Sequence, residues 1–550
     1  MKFSAFDFEL PLTKRNLLFI TIGSWLCLGI LIWMIQKISI NGPDLFNETE
    51  TYLFSHYLQE IGIYLLASFI IFILPGLIWI NVFFNRKYTT LELLAVSFIA
   101  SLTGLIVMTT MFKMATPKEL QFLNFISMLL TLTFTGLMMC LKKDILINTI
   151  KISLAHILLC FLLIFLIVVV GWVFQEEILR VDYDRNFSPE RILDIPLGMQ
   201  DDVLESFGLM NSLKTYLLPY WDLEYADRFG YSIIDPPLRI FISLFLMLFL
   251  GESFAVQSLN TLLVLLLSFW LVAHLATLEM KRTNRFFFVL VIPFLFLDYL
   301  FVFLEHHESS LVLIDHIHFM SLFVMAQFYF LLMGRHNLFL IFALLAFLTK
   351  FEAVLFTLLG LWFYQKICKP QPQTISDLFR KYLMLISPYI LLMIMIGMLR
   401  RDLGAYLEAF FLERFVRMDH FHLFDKVFPH ESTAPWGSFS MKATWEFFKQ
   451  FMLGSSFLGI VIFFPQKDKI SCFFNRMTIF YFILVMISRE KRVHYISPLV
   501  LMSSIVALRM LFLTKWKEHF LPYVYRLAER MGAFPQKLKK VIHEEKNMRE

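Results

Sequence analysis

Charge is what this sequence has least of. Of 550 residues only 17% are Asp, Glu, Lys or Arg, and 58% are hydrophobic, whereas an ordinary soluble domain carries about 25% charged residues. That shortage excludes a soluble fold of this size, which would expose too much apolar surface. The five cysteines form no C-x-x-C pair, and Cys27, Cys140 and Cys160 lie within or at the ends of apolar stretches. Neither a disulfide framework nor a zinc site follows from them. A glycine-rich phosphate loop, the mark of a nucleotide site, is missing, and so are internal repeats and low-complexity linkers.

In their place stands a succession of long apolar runs. Residues 17–36, 61–84, 152–174, 254–278 and 286–304 each approach the ~20 residues needed to cross hydrocarbon as a helix. The first is a retained span, because Trp33, Met34 and Gln36 end it where a cleaved signal peptide carries small residues. About fourteen crossings are expected, give or take about two.

Basic residues set the sidedness. A cytoplasmic N-terminus with Lys2, Lys14 and Arg15 puts Arg86 and Lys87, then Lys142, Lys143 and Lys151, in the cytoplasm, and Asp44, Asn47 and Glu50 outside. Five spans then place residues 175–237 outside, a polar loop too long for a tight turn. The next apolar segment, Leu238–Leu250, is short for a crossing. If it crosses, Lys281, Arg282 and Arg285 fall outside and every later loop inverts. If it lies at the outer interface, buried or partly inserted, those residues are cytoplasmic together with Arg335, stretches 366–381 and 467–476 and the basic C-terminal tail. The second option is adopted because it restores the pattern in all of these loops. It leaves 305–318, the turn around Lys350, 400–445 and 489–495 outside, and puts both termini in the cytoplasm. The net charge of +5, with its basic tail over 515–549, then reads as membrane orientation and not as nucleic-acid binding.

The outer stretches hold the candidate site residues. Asp201 and Asp202, in Gly198-Met-Gln-Asp-Asp202, either cap a helix beginning at Val203 or supply a general base whose pKa is raised by its charged neighbour. Gly230-Tyr-Ser-Ile-Ile-Asp-Pro-Pro237 leads into Leu238–Leu250. Glu305-His-His-Glu308 offers ordinary ligands for a divalent metal, although adjacent histidines rarely face one ion. Asp298 sits in an apolar run, where it either lines a cavity or joins Tyr299 in an interfacial belt. Lys350 and Glu352 either pair with each other or leave Lys350 as a point charge for a phosphate. Arg489, Lys491 and Arg492 are basic on the outer side; they either snorkel to headgroups or grip a lipid phosphate. Stretch 400–445, with His420, His422 and His430, carries no interpretable motif.

Four of these stretches resemble, in order, the GT-C glycosyltransferase superfamily, in the branch of protein mannosyltransferases and lipid A aminoarabinose transferases (glycosyltransferase family 39). Asp201-Asp202, Asp235-Pro-Pro-Leu238 and the helix that follows are similar to that family's first extracytoplasmic loop, with Asp202 where Glu is usual and Asp235 where His is common. Leu311-Val-Leu-Ile-Asp315, followed by His318, Phe319 and Phe323, is similar to its outer Asp that opens an aromatic span. Leu345-Ala-Phe-Leu-Thr-Lys350 is similar to its Leu-Thr-Lys turn, and Arg492-Val-His-Tyr495 with Pro498 to its Arg-Tyr-x-x-Pro segment.

The resemblance implies an all-α polytopic fold. In it, 152–513 form a GT-C-like core with outer loops 175–253 and 400–447 and a juxtamembrane helix, 1–151 add N-terminal transmembrane helices, and 514–550 form a basic cytoplasmic tail. It also implies inverting transfer of a hexose or pentose from a polyprenyl-phosphate carrier to a hydroxyl of a glycan, lipid or protein, outside the inner (plasma) membrane. Asp201 would be the general base and Asp202 its tuning partner. Asp315 would contact sugar or acceptor, while Arg492, His494 and Lys350 would hold the phosphate. Tyr495 and Asp235 belong to the same substrate-binding stretches. Some members use a divalent metal and others do not, so a metal stays open. The rival readings are a transporter or flippase for lipid-linked sugars and a scaffold that keeps the fold without activity.

Overall fold

A computed structural model describes residues 7–39, 54–84, 86–116, 119–143, 147–173, 214, 238–250, 254–279, 291–300, 316–399, 441–464, 466, 468–487 and 496–513. The elements run β1 (Asp7–Pro11), α1 (Lys14–Ser39), α2 (Phe54–Phe72), α3 (Leu74–Phe83), α4 (Thr90–Ala115), α5 (Phe122–Lys142), β2 (Thr149–Ser153) and α6 (Leu154–Val173). They continue as α7 (Leu238–Leu250), α8 (Phe254–Ala276), α9 (Val291–Leu300), α10 (His316–Leu332), α11 (His336–Phe347) and α12 (Ala353–Cys368). Last come α13 (Pro372–Leu399), α14 (Met441–Gly454), a 3-10 turn (Leu458–Phe463), α15 (Lys469–Ile487) and α16 (Ile496–Leu513).

Among the described residues, Lys14–Leu31, Ile61–Phe83, Thr90–Ala115, Phe122–Lys142 and Lys469–Met486 are long and apolar enough to cross a bilayer, and α6 to α12 and α16 add shorter apolar helices. Their outward faces are apolar too: Phe19, Leu26, Met111, Leu123, Phe161 and Phe165 are exposed, as a protein solvated by lipid requires. The chain is an α-helical membrane protein.

The apolar run 61–84 does not form one straight helix. Pro75 has no N–H to return to the Ile71 carbonyl, so the span breaks after Phe72 and restarts as α3. There α3 presses directly on α4: a Cβ at Gly76 would stand 1.9 Å from the Ser97 carbonyl oxygen. The Gly76 N–H, otherwise an orphan donor of the first turn, donates to Ser101 Oγ at 2.7 Å. Small residues on both helices permit this approach. Gly76→Ala is expected to push the helices apart and cost about 1–3 kcal/mol, read as a lower melting temperature of the detergent-solubilised protein. An unaltered melt would contradict the contact.

One end of the bundle collects the basic loops. β1 pairs antiparallel with β2, Asp7 opposite Ser153 and Pro11 opposite Thr149, so the boundary at 151/152 expected from the resemblance falls inside a strand. This ribbon departs from the all-helical expectation; its segments are five residues each and carry no long apolar pattern. Lys14 Nζ donates to Leu141 O at 3.1 Å and Lys143 Nζ to Val82 O at 2.8 Å, so both lysines cap the negative ends of helices. Asn148 joins three segments: its Nδ2 donates to Asn81 Oδ1 at 3.0 Å, its Oδ1 accepts from the Tyr88 N–H at 3.0 Å and its carbonyl accepts from the Leu12 N–H at 2.7 Å.

α4 starts with a capping box, Thr89-Thr-Leu-Glu92. The buried Glu92 also pairs with Arg335, in the turn between α10 and α11. That turn needs Gly334, whose φ is +67°. It closes with the Arg335 N–H donating to Phe330 O at 2.8 Å and the Gly334 N–H to Leu331 O at 3.0 Å, a Schellman ending.

The end of α8 arrives at the same place. His274 stacks on His156 with centroids 4.0 Å apart, and His156 Nδ1 is 2.6 Å from Ser153 Oγ of β2. Arg509 of α16, only 1% exposed, bonds the last carbonyls of α8: its guanidinium donates to Leu278 O at 2.7 Å, Ala276 O at 3.1 Å and Leu275 O at 3.4 Å. Its Nε donates to Asp468 Oδ2 at 2.7 Å. Asp468 in turn caps α15 by accepting from the Ser471 N–H at 2.9 Å. One side chain thus fastens three helix ends.

The short apolar segment after Pro237 forms α7, and it is enclosed. Ten of its 13 residues are buried, among α2, α5 and α8, with Phe245 stacked on Phe125 at 5.4 Å and Phe249 meeting Trp25 of α1 at 6.1 Å. A helix apolar on every side needs such walls; α1, α2 and α5 supply most of them. The sequence places this helix at the outer interface without saying what covers it, and the N-terminal helices are the cover. The Leu238 N–H donates to Leu348 O at 3.1 Å, about 18 Å along α11 from His336. Trp25 lies about 16 Å along α1 from Lys14. Both ends of α7 therefore stay away from the basic end.

Candidate functional site

The opposite end of the bundle begins with the turn between α11 and α12. Thr349 and Lys350 N–H groups both return to Ala346 O, at 3.1 and 3.0 Å, and Thr349 Oγ1 donates to Leu345 O at 2.8 Å. The turn closes with the Ala353 N–H on Lys350 O at 3.1 Å. Every polar group of the turn backbone named here is engaged locally, which holds Lys350 in a protein wall where it is 8% exposed. The Leu348 carbonyl receives the first N–H of α7, so the residue after Leu238 arrives beside the same turn. That residue is Arg239, 2% exposed. The Leu238–Leu348 bond thus brings the backbones of two buried cationic residues, Arg239 and Lys350, to one turn.

Arg239 was open to detection in the sequence, as a lone cation in the otherwise apolar helix LRIFISLFLMLFL. An ionisable side chain at membrane depth is expensive and marks a site or a partner.

Next to this wall, α9, α10 and α16 meet at His318. Its ring is fully buried, and Nδ1 lies 3.3 Å from both Tyr299 OH and Ser497 Oγ. The one described residue of loop 175–237, Lys214, is fixed against the α4–α5 connection: its carbonyl accepts from the Leu120 N–H at 2.9 Å. Burial pushes its ammonium pKa below the ordinary lysine range, against the pull of the nearby Glu119 charge.

A second polar feature lies deeper. α14 ends in a Schellman motif, Phe457 N–H to Met452 O at 2.6 Å and Ser456 N–H to Leu453 O at 2.9 Å. Ser456 at φ +51° and Phe457 at φ +60° are consecutive side-chain-bearing residues in the left-handed region, a conformation that costs about 1 kcal/mol or more at each. Ser456 Oγ donates to Asp298 Oδ2 of α9. From sequence Asp298 stands between a cavity and an interfacial belt; the structure gives it to the break after α14.

Of the residues singled out from sequence, Lys350 is described and buried in the wall above. Asp201, Asp202, Asp235, Glu305, His306, His307, Glu308, Asp315, Arg492, His494 and Tyr495 lie outside the described residues. Among the described residues no three His, Cys, Asp or Glu side chains gather as metal ligands. No protein-family model, curated protein or solved structure matches the chain.

Proposed function

We propose that the protein is a membrane glycosyltransferase that moves a sugar from a polyprenyl-phosphate carrier to an acceptor hydroxyl at the outer face of the plasma membrane. The observation that carries this reading is the burial of Arg239 and Lys350, two cationic residues whose backbones the Leu238–Leu348 bond brings to one turn. Cations held in a protein wall of low dielectric bind a phosphate more strongly than solvated ones, and the apolar helices around them suit an isoprenoid chain. His318 and Ser497, three residues after Asp315 and two after Tyr495, also meet, which supports one site built from those stretches.

In this reading Asp201 takes the proton of the acceptor hydroxyl while Asp202 orients it. The oxygen attacks the anomeric carbon with inversion, the glycosidic bond to phosphate breaks, and the polyprenyl phosphate leaves with an added negative charge. Arg239, Lys350, Arg492 and His494 stabilise that charge; Asp315, Asp235 and Tyr495 contact sugar or acceptor. The basic end, with both termini, faces the cytoplasm. The whole chain makes about fourteen crossings around a GT-C-like core.

The test is turnover of a polyprenyl-phosphate sugar by the purified full chain. Asp201→Asn is expected to lower it about a hundredfold; unchanged turnover would remove the general base. A second reading, a transporter of lipid-linked sugars, draws on Asp298 at the helix break, since transporters place ionisable groups where helices are interrupted. Movement of the intact lipid between leaflets, without sugar transfer, would decide for it.

A further inference from the structure

We infer that the break after α14, with Asp298, forms a binding site for a small monovalent cation of the sodium class. The hydrogen bond from Ser456 Oγ is the interaction Asp298 makes among the described residues, and no basic side chain there pairs with it. The group it faces is the C-terminal end of α14. A helix C-terminus carries the equivalent of roughly half a negative charge on its last carbonyls. A carboxylate beside that pole is repelled, and a cation between them relieves both.

Depth strengthens the case. Tyr299, the neighbour of Asp298, packs on Phe269 of α8 with centroids 5.7 Å apart. Phe269 lies about 10 Å inside the Ala276 end of its helix, so the carboxylate sits where bulk water does not screen it. The two donors that meet at the break, the Asp298 carboxylate and the Ser456 hydroxyl, are both oxygens. Hard cations select that set, and interrupted helices in membranes present their C-terminal ends to sodium. Asp298 and Ser456 are both half-buried, so neither is sealed in the core. The two left-handed residues fit as well. They aim the Ser456 side chain at α9 in a conformation that packing alone does not favour. The inference does not depend on whether the outer end transfers or transports its lipid.

The experiment is a melting series on the full chain in detergent at constant ionic strength, with sodium, lithium, potassium or N-methylglucamine as the chloride salt. Sodium is expected to raise the wild-type melting temperature by about 2 °C or more over N-methylglucamine, and Asp298→Asn to abolish that increment. Ser456→Ala, which keeps the carboxylate, is expected to raise the sodium concentration for half the effect about tenfold, and it decides the matter if the Asn variant does not fold. Equal wild-type melts in all four salts overturn the site. So does a full increment in Asp298→Asn, or an unshifted midpoint in Ser456→Ala.

Discussion

Replacing Arg509 by Leu is expected to lower stability by about 3–5 kcal/mol, the range found when one partner of a buried ion pair is removed. The guanidinium serves four oxygens at two other helix ends, three carbonyls at and just past the end of α8 and the Asp468 carboxylate that caps α15. Leucine would strip the guanidinium from Ala276 O and Leu278 O and leave Leu275 O and Asp468 with only their bonds from the Leu278 N–H and from Ser471, and buried acceptors without partners are costly. Arg509→Lys should recover part of the loss, since a single ammonium cannot span the fork. Melting and denaturant titration in detergent would measure both, and a Leu variant within about 1 kcal/mol of wild type would refute the fastening role.

The same pair fixes a pH dependence. Burial opposes ionisation of Asp468, but hydrogen bonds from Arg509 and from Ser471, with the Arg509 charge, outweigh it and hold the carboxyl below its ordinary 3.8. A carboxyl lowered by folding stabilises the folded state above its unfolded pKa and loses that contribution as pH falls toward the folded value. The acid limb of stability, starting near 3.8 and running downward, should be shallower in Arg509→Leu.

On the proposed function, replacing Arg239 by Gln and Lys350 by Met together is expected to cut kcat/KM for the lipid-linked donor about a thousandfold. Each charge-assisted contact to phosphate is worth about 1.5–3 kcal/mol, and every 1.4 kcal/mol is a factor of ten. Arg239→Lys should retain more activity than Arg239→Gln if charge is the contribution. Binding of polyprenyl monophosphate to the same variants separates lost affinity from lost chemistry. A double variant that melts like wild type and keeps its kcat/KM would end the phosphate role of these residues.

Legibility followed length and chemistry. The spans of α1, α6 and α8 were readable because each is an apolar run that approaches crossing length, whereas the α4 start went unread although Thr89-Thr-Leu-Glu92 spells its own cap. Pro75 also announced a break, which run length alone concealed. The β1–β2 ribbon was not readable: five-residue strands far apart in sequence pair through backbone groups that no side-chain period reports. The enclosure of α7 was missed for the same reason, since Phe125 and Trp25 are ordinary span residues until they meet Phe245 and Phe249. At the site, Lys350 was found through its turn. Arg239 was passed over because its neighbours looked like uninterrupted membrane helix. Ser456 gives no sequence signal, because only the backbone reveals what the break at the end of α14 aims at Asp298.

The ribbon has a consequence in time. Its two strands enclose α1 to α5, and β2 is the last piece needed to close them into a unit. During synthesis Ser153 emerges before Leu238, and at about 5–20 residues per second the interval is roughly 4–17 s. Helix packing is much faster than that. When α7 is made, α1, α2 and α5 have already been synthesised while α8 follows it, so this apolar helix meets most of its berth before later partners can claim it. The order of manufacture, and not only the final packing, favours its place.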